Sequence, residues 1–171
     1  MTTSTIELPP VAPLVAVSDL VGFRGAPFPA AVTQAAAESV RSECGWHIAP
    51  RIEQTIMVRT GGGDTVLLPS LQVAEVASVT DRAGAAVDGW EVWSNGILER
   101  PGGFPRTIVV TFTHGYTACP KDLLGIIAER ASAQAAGRVK AESLAGRSVQ
   151  LDGGYDPLTQ TIINAYRLTG G

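Results

Sequence analysis

Charge is scarce in this chain, and sulfur is scarcer. Asp, Glu, Lys and Arg make up 17% of the 171 residues, where an ordinary soluble domain carries about a quarter. Thirteen basic and sixteen acidic side chains leave a net charge of -3. Arg100, Arg106, Lys121, Arg130, Arg138, Lys140 and Arg147 are scattered rather than clustered. A protein that grips DNA phosphates needs a basic patch, so tight or specific nucleic-acid binding is not expected. Two cysteines, Cys44 and Cys119, are too few for a disulfide framework. No apolar run approaches the ~20 residues of a membrane span, and no membrane role is expected. The opening stretch, MTTSTIELPPVAPLVAVSDL, lacks the basic start and apolar core of a signal peptide. These absences point to a protein that works in a reducing cytosol or in a particle assembled there.

What is present suits one domain with arms. Hydrophobic residues make up 45% and mean hydropathy is +0.17. Few charges with positive hydropathy suggest surface covered by partners, which favours an oligomer.

The pattern along the chain predicts an α+β fold: a helical core with a β-rich insertion between two central helices, an N-terminal arm and a C-terminal helix. Residues 1–17 contain Pro9, Pro10 and Pro13, which forbid a helix and imply an extended arm that lies on a neighbouring subunit or frays. SDLVGFRG reads as a helical turn capped by Ser18 and followed by Gly25. The main domain is expected over 18–151. Its first helix, 29–44, opens at Pro29, buries Val32, Ala35, Ala36, Ser39, Val40 and Glu43, and stops at Gly45. Period-two patterning marks a β-rich region over 46–116, with Ile52, Gln54, Ile56 and Val58 on one face. VAEVASVTD is a strand ended by the turn DRAG. WEVWSNGILER reads as a hairpin turning at Asn95-Gly96. RTIVVTFTHGY is the last long strand.

The second central helix is expected over 120–136, with Pro120 in its first turn, Leu123, Leu124, Ile126, Ile127, Ala131 and Gln134 inward, and Gly137 as its end. A short strand is expected over 146–151. Residues 152–171 read as a C-terminal helix and tail behind a Gly153-Gly154 joint. Asp156 caps that helix, Pro157 opens it, and Leu158, Ile162 and Ala165 form its apolar stripe.

Several residue sets could carry chemistry. His114 and Cys119 could form a cysteine–histidine dyad if the imidazole reached the sulfur, and a helix N-terminus near Cys119 could lower its pKa. No oxyanion loop follows them. Cys44-x-x-His47 with His114 and Cys119 makes a Cys2His2 set, the ligand types of structural zinc, but the second spacing is not that of a usual knuckle. Small buried cysteines and partly exposed histidines are the expected reading. GGGD at Gly61–Asp64 is followed by a strand, so it is a hairpin turn and not a phosphate loop. Trp90 and Trp93 have opposite parity, which puts one in the core and the other at a rim or interface. Asp81, Asp88, Glu91 and Glu99 sit in or beside turns and are expected to be solvated.

The stretch VVTFTHGYTACPKDLLGIIAERAS resembles the head-to-tail adaptor (connector, or head-completion) proteins of long-tailed bacteriophages. There a strand ending in a T-H-G-Y-like sequence leads to P-x-D-L and a long helix. Here Thr113, His114, Gly115 and Tyr116 are followed by Pro120, Asp122 and Leu123. AAVTQAAAESVRSECGW resembles the family's first long helix. Glu142, Ser143, Gly146, Ser148 and Val149 resemble its E-S-x-G-x-x-S-V segment, and Tyr166-Arg167 its usual ending.

The resemblance implies a structural virion protein, assembled in the host cytoplasm, with no catalytic residue, cofactor or metal. It implies a ring of about twelve subunits beneath the portal protein, joined to the next connector (stopper) or to a tail protein. DNA would pass through that ring without specific binding. Leu158, Ile162, Tyr166 and Arg167 are the expected docking residues. The alternatives are a tail-completion or tail-tube component of the same virion, or a small metal-binding or cysteine enzyme.

Overall fold

The computed structural model describes residues 12–143 and 156–168. The expected strand at 146–151, the Gly153-Gly154 joint and the first eleven positions of the arm lie outside the described residues. From Ala12 onward the arm does not reach outward: Leu14 and Val15 are buried in the chain's own helical core.

A 3-10 turn, Val17–Leu20, follows. Ser18 does not cap it. The carboxylate of Asp19 reaches back to the Ala16 N–H at 2.8 Å instead. Helix α1 spans Ala30–Cys44 and ends at Gly45, whose φ of 80° supplies the left-handed cap. Its buried face is Val32, Thr33, Ala36, Ala37, Val40, Arg41 and Cys44. Ala35 is therefore outside, Ser39 and Glu43 are half-buried, and Ala37 and Arg41 take the inward positions.

Six strands follow: β1 Ile52–Arg59, β2 Thr65–Leu67, β3 Val73–Asp81, β4 Glu91–Val92, β5 Ile97–Glu99 and β6 Thr107–His114. They form two antiparallel sheets, ordered β1-β6-β3 and β2-β5-β4. β1 keeps the period-two pattern, with Ile52, Gln54, Ile56 and Val58 half-buried and their neighbours exposed. β3 does not. Its buried residues are Val73, Val76 and Val79, at a spacing of three, because two register shifts against β6 each add a residue. The inner faces meet in one apolar cluster that holds Val66, Leu68, Leu98, Ile108, Val110 and Phe112. Burying a side chain such as Phe112 or Leu98 contributes roughly 1.5–3 kcal/mol.

The β4–β5 hairpin forms as the sequence implies. Its turn runs Trp93 to Gly96, closed by the Gly96 N–H donating to the Trp93 carbonyl at 2.9 Å. Only Gly96 carries a positive φ, 87°, so Asn95 does not share that role. A Cβ at Gly96 would stand 2.2 Å from the Ser70 carbonyl oxygen, which leaves no alternative residue there.

Helix α2 spans Lys121–Ser143 and passes through Gly137 without stopping. Glycine inside a helix costs only about 1 kcal/mol relative to alanine, and the helix formers of RVKAE come next in sequence. Leu123, Ile126, Ile127, Ala128 and Ala131 are buried against α1, while Gln134 is exposed. Helix α3, Pro157–Ala165, packs on the open end of α1 and α2. Asp156 holds the N-cap position but makes no side-chain capping bond.

Candidate functional site

The stretch from β6 into α2 explains itself once the strand geometry is known. Ile108, Val110, Phe112 and His114 alternate inward along β6. Gly115 then takes a φ of 95°. A Cβ there would stand 3.2 Å from the carbonyl oxygens of both Ile48 and Pro50. The Gly115 N–H donates to Gln72 and the Tyr116 N–H to Ile48, both at 2.8 Å. The His-Gly-Tyr sequence is thus the crossing point where the sheet hands the chain to the helices.

His114 is 1% exposed, so the expectation of a partly exposed imidazole fails there. Its Nε2 pairs with Gln54 Oε1 at 3.0 Å, and its ring lies 5.6 Å from that of His47. Burial, with the His47 ring as a lesser cause, lowers its pKa to about 4. His47 bonds the Pro50 carbonyl through Nε2, and burial lowers its pKa too. Cys119 contacts the Pro120 carbonyl at 3.7 Å, not an imidazole. Burial pushes its thiol up to about 12, and pushes Cys44 up to about 11. Desolvation is the largest cause at Cys119, and it disfavours the thiolate. Among the described residues, no group of three or more His, Cys, Asp and Glu side chains is placed to hold a metal ion.

The expected docking residues begin beside this crossing, where the Tyr166 ring stands 6.1 Å from that of Tyr116. Ile163, which the sequence stripe omitted, is the fully buried residue of α3. Ile162 and Tyr166 are half-buried beside it, and Leu158 is 65% exposed. Ala165 faces out. The segment is sewn to its own domain. Trp46 Nε1 donates to the Tyr166 carbonyl at 2.7 Å, and the Leu168 N–H donates to Cys44 at 2.8 Å. Arg167 approaches Glu43 at 3.7 Å, and Glu43 also holds Arg130 at 2.6 Å. So the helix does not wait for a partner to give it a surface; α1 and α2 supply one, and Leu158 is the large apolar side chain it leaves free.

A second open surface was only half legible. Cross-strand partners share a face. Leu67 pairs with Ile97, and Trp93 donates its N–H to Ile97. Leu67, Ile97 and Trp93 therefore form one apolar row across the outer face of the second sheet, with Leu67 54% and Trp93 55% exposed. Glu91 and Glu99 are paired in the next row on that face. The parity of Trp90 and Trp93 anticipated the split, since Trp90 packs against the β core. The row needed the pairing register, which the sequence does not state. Tryptophan is a side chain that protein interfaces favour.

No family model matches the chain, and no curated protein matches it. Solved structures do. A chain in the neck of an empty gene transfer agent particle, computed with C6 symmetry, is 19% identical at a TM-score of 0.56, covering 92% of this chain and 93% of that one. A chain in the virion of a native gene transfer agent particle is 18% identical at 0.59, with 96% of each chain covered. A third, in the neck of the native particle computed with C12 symmetry, is 18% identical at 0.58, with 99% of each covered. Over nearly its whole length, this chain has the fold of proteins found in such virion and neck structures.

Proposed function

We propose that this chain is a structural virion protein that forms a ring in the neck, below the portal, and joins the head to the tail. The observation that carries this reading is the near-complete, end-to-end fold likeness to chains of virion necks. The His-Gly-Tyr crossing and the Pro-x-Asp-Leu helix start, the motifs of the adaptor resemblance, support it independently. Their places in the fold are structural, a strand exit and a helix entry. High thiol pKa values and buried, neutral imidazoles give no support to a cysteine enzyme.

On this reading about twelve copies close a cyclic ring, matching a portal of the same symmetry. Leu158, with the rims of Ile162, Tyr166 and Arg167, meets the portal or an adjacent copy. The Leu67–Ile97–Trp93 row meets the next connector or a tail protein. Net charge of -3 suits a wall that DNA passes without being held. The test is genetic. Without this chain, particle production should stop at DNA-filled heads that carry no tails, and separately made tails should remain. Finished particles with tails in the absence of the chain would end the proposal.

A further inference from the structure

β1 is an end strand of its sheet, and its eight residues pair with β6 without any register shift. The opposite end strand, β3, is blunted by two register shifts. Its outer side is also taken: Asp81 donates to Ala85 at 2.8 Å, Val87 to Val79 at 2.9 Å, and Val73 to Ser94 at 2.8 Å. Among the described residues, no backbone hydrogen bond reaches the outer side of β1. The phase of the pairing tells which groups stand open. Thr60 donates its N–H to Arg106 at 3.0 Å, one step beyond the Arg59–Thr107 pair. Antiparallel partners alternate between those that exchange hydrogen bonds and those that do not. Ile52, Gln54, Ile56 and Val58 therefore face β6, and Glu53, Thr55, Met57 and Arg59 aim their N–H and C=O groups outward. A long, regular, unpaired edge is a template for another strand.

We propose that residues 2–8 of an adjacent copy add to this edge as an extra strand and lace the ring together; the proposal rests on the ring reading. Where the chain enters its domain supports it. Arg41 Nη2 holds the Ala12 carbonyl at 2.9 Å and the Ala49 carbonyl at 2.9 Å. Ala49 lies shortly before β1, so Ala12, where the described residues begin, stands near the start of that strand. Thr2, Thr3, Thr5 and Ile6 are β-branched, as strands favour. Seven residues in extended form span about 23 Å, nearly the length of β1. Pro9 and Pro10 have no N–H, so they end such a strand and serve as a stiff, extended spacer. A cyclic ring needs a heterologous contact, with donor and acceptor at different places on one chain. The leading segment and the open edge are such a pair.

Hydrogen exchange at single-residue resolution, compared between the free chain and the ring in particles, tests this. The amides of Glu53, Thr55, Met57 and Arg59 should slow roughly tenfold or more on assembly, while those of Ile52, Gln54, Ile56 and Val58 change little. Deleting residues 2–8 should abolish the slowing and leave the free chain's melting temperature unchanged. Met57→Pro removes an N–H that β6 does not use, and should act the same way from the acceptor side. Outward amides that are already slow in the free chain, and freed by the deletion, would place the segment on its own chain and overturn the proposal. A ring whose outward amides exchange as in the free chain would overturn it and leave the ring reading standing. A neck without any ring of this chain would remove both.

Discussion

The two ends of this molecule solve different problems. The helical end is closed by specific polar ties. Arg41, 8% exposed, gathers the carbonyls of Ala12 and Ala49 and the carboxylate of Glu38. Glu43 joins Arg130 of α2 to Arg167 of the C-terminal segment. The β end packs its inner faces as an apolar cluster, ties its loops through Arg100 to the carbonyls of Asp88 and Gly103, and leaves Met57, Leu67 and Trp93 in solvent. On the proposed reading the sheets serve assembly and the helical end serves stability, with Val21 and Leu158, each 65% exposed, left open at the helical end.

The contrast can be broken most severely at Arg41. Replacing it with Met leaves the buried Ala49 carbonyl and the half-buried Ala12 carbonyl without their donor and should cost about 1–3 kcal/mol for each, read as a lower urea midpoint with an unchanged slope. Ile163→Ala should come next, at about 2–5 kcal/mol, because it opens a cavity between α3 and the α1–α2 end. Deletion of residues 156–171 should likewise lower the melting temperature of the free chain. A truncated chain as stable as the parent would mean that α3 does not belong to the core.

His114 sharpens the comparison by pH. Its folded pKa of about 4 lies below the ordinary value of 6.5, so the folded state resists the proton that the unfolded state accepts. Its neutral, buried form is fully compatible with folding above pH 6.5. Stability should then fall as the pH drops from 6.5 toward 4, by about 3 kcal/mol in total. Denaturation curves of the parent and of His114→Gln should diverge in that window and run parallel above it. The smallest effect belongs to the sheet surface. Trp93→Ala should change stability by no more than about 0.5 kcal/mol. The same change should sharply reduce incorporation into particles, measured as copies per particle.

What could be read from the sequence was what is local. Gly45 as a helix stop, the inward alternation of β6 and the Asn95-Gly96 hairpin follow from periodicity and backbone freedom, and the structure has them. What could not be read depended on distant partners. Leu158, Ile162 and Ala165 make a valid stripe on a nine-residue helix, yet Ile163 is buried because the end of α1 offers it a slot and Trp46 needs the Tyr166 carbonyl. Arg41 looks like a solvated charge until the Ala12 and Ala49 carbonyls converge on it. The spacing of three in β3 comes from bulges set by pairing with β6. The adaptor motifs of the β6–α2 crossing were legible because they lie within one continuous stretch. The Leu67–Ile97–Trp93 row, built from two strands and the hairpin turn, was not.

On the proposed reading this chain is a ring-forming component of the neck. A reconstruction of the head–tail junction from particles carrying this chain tests it most directly. The account predicts about twelve copies in one closed ring around the channel beneath the portal, with Leu158 and the Leu67–Ile97–Trp93 row both covered by protein. Density for this chain as a single copy, or repeated along the tail tube, would contradict it.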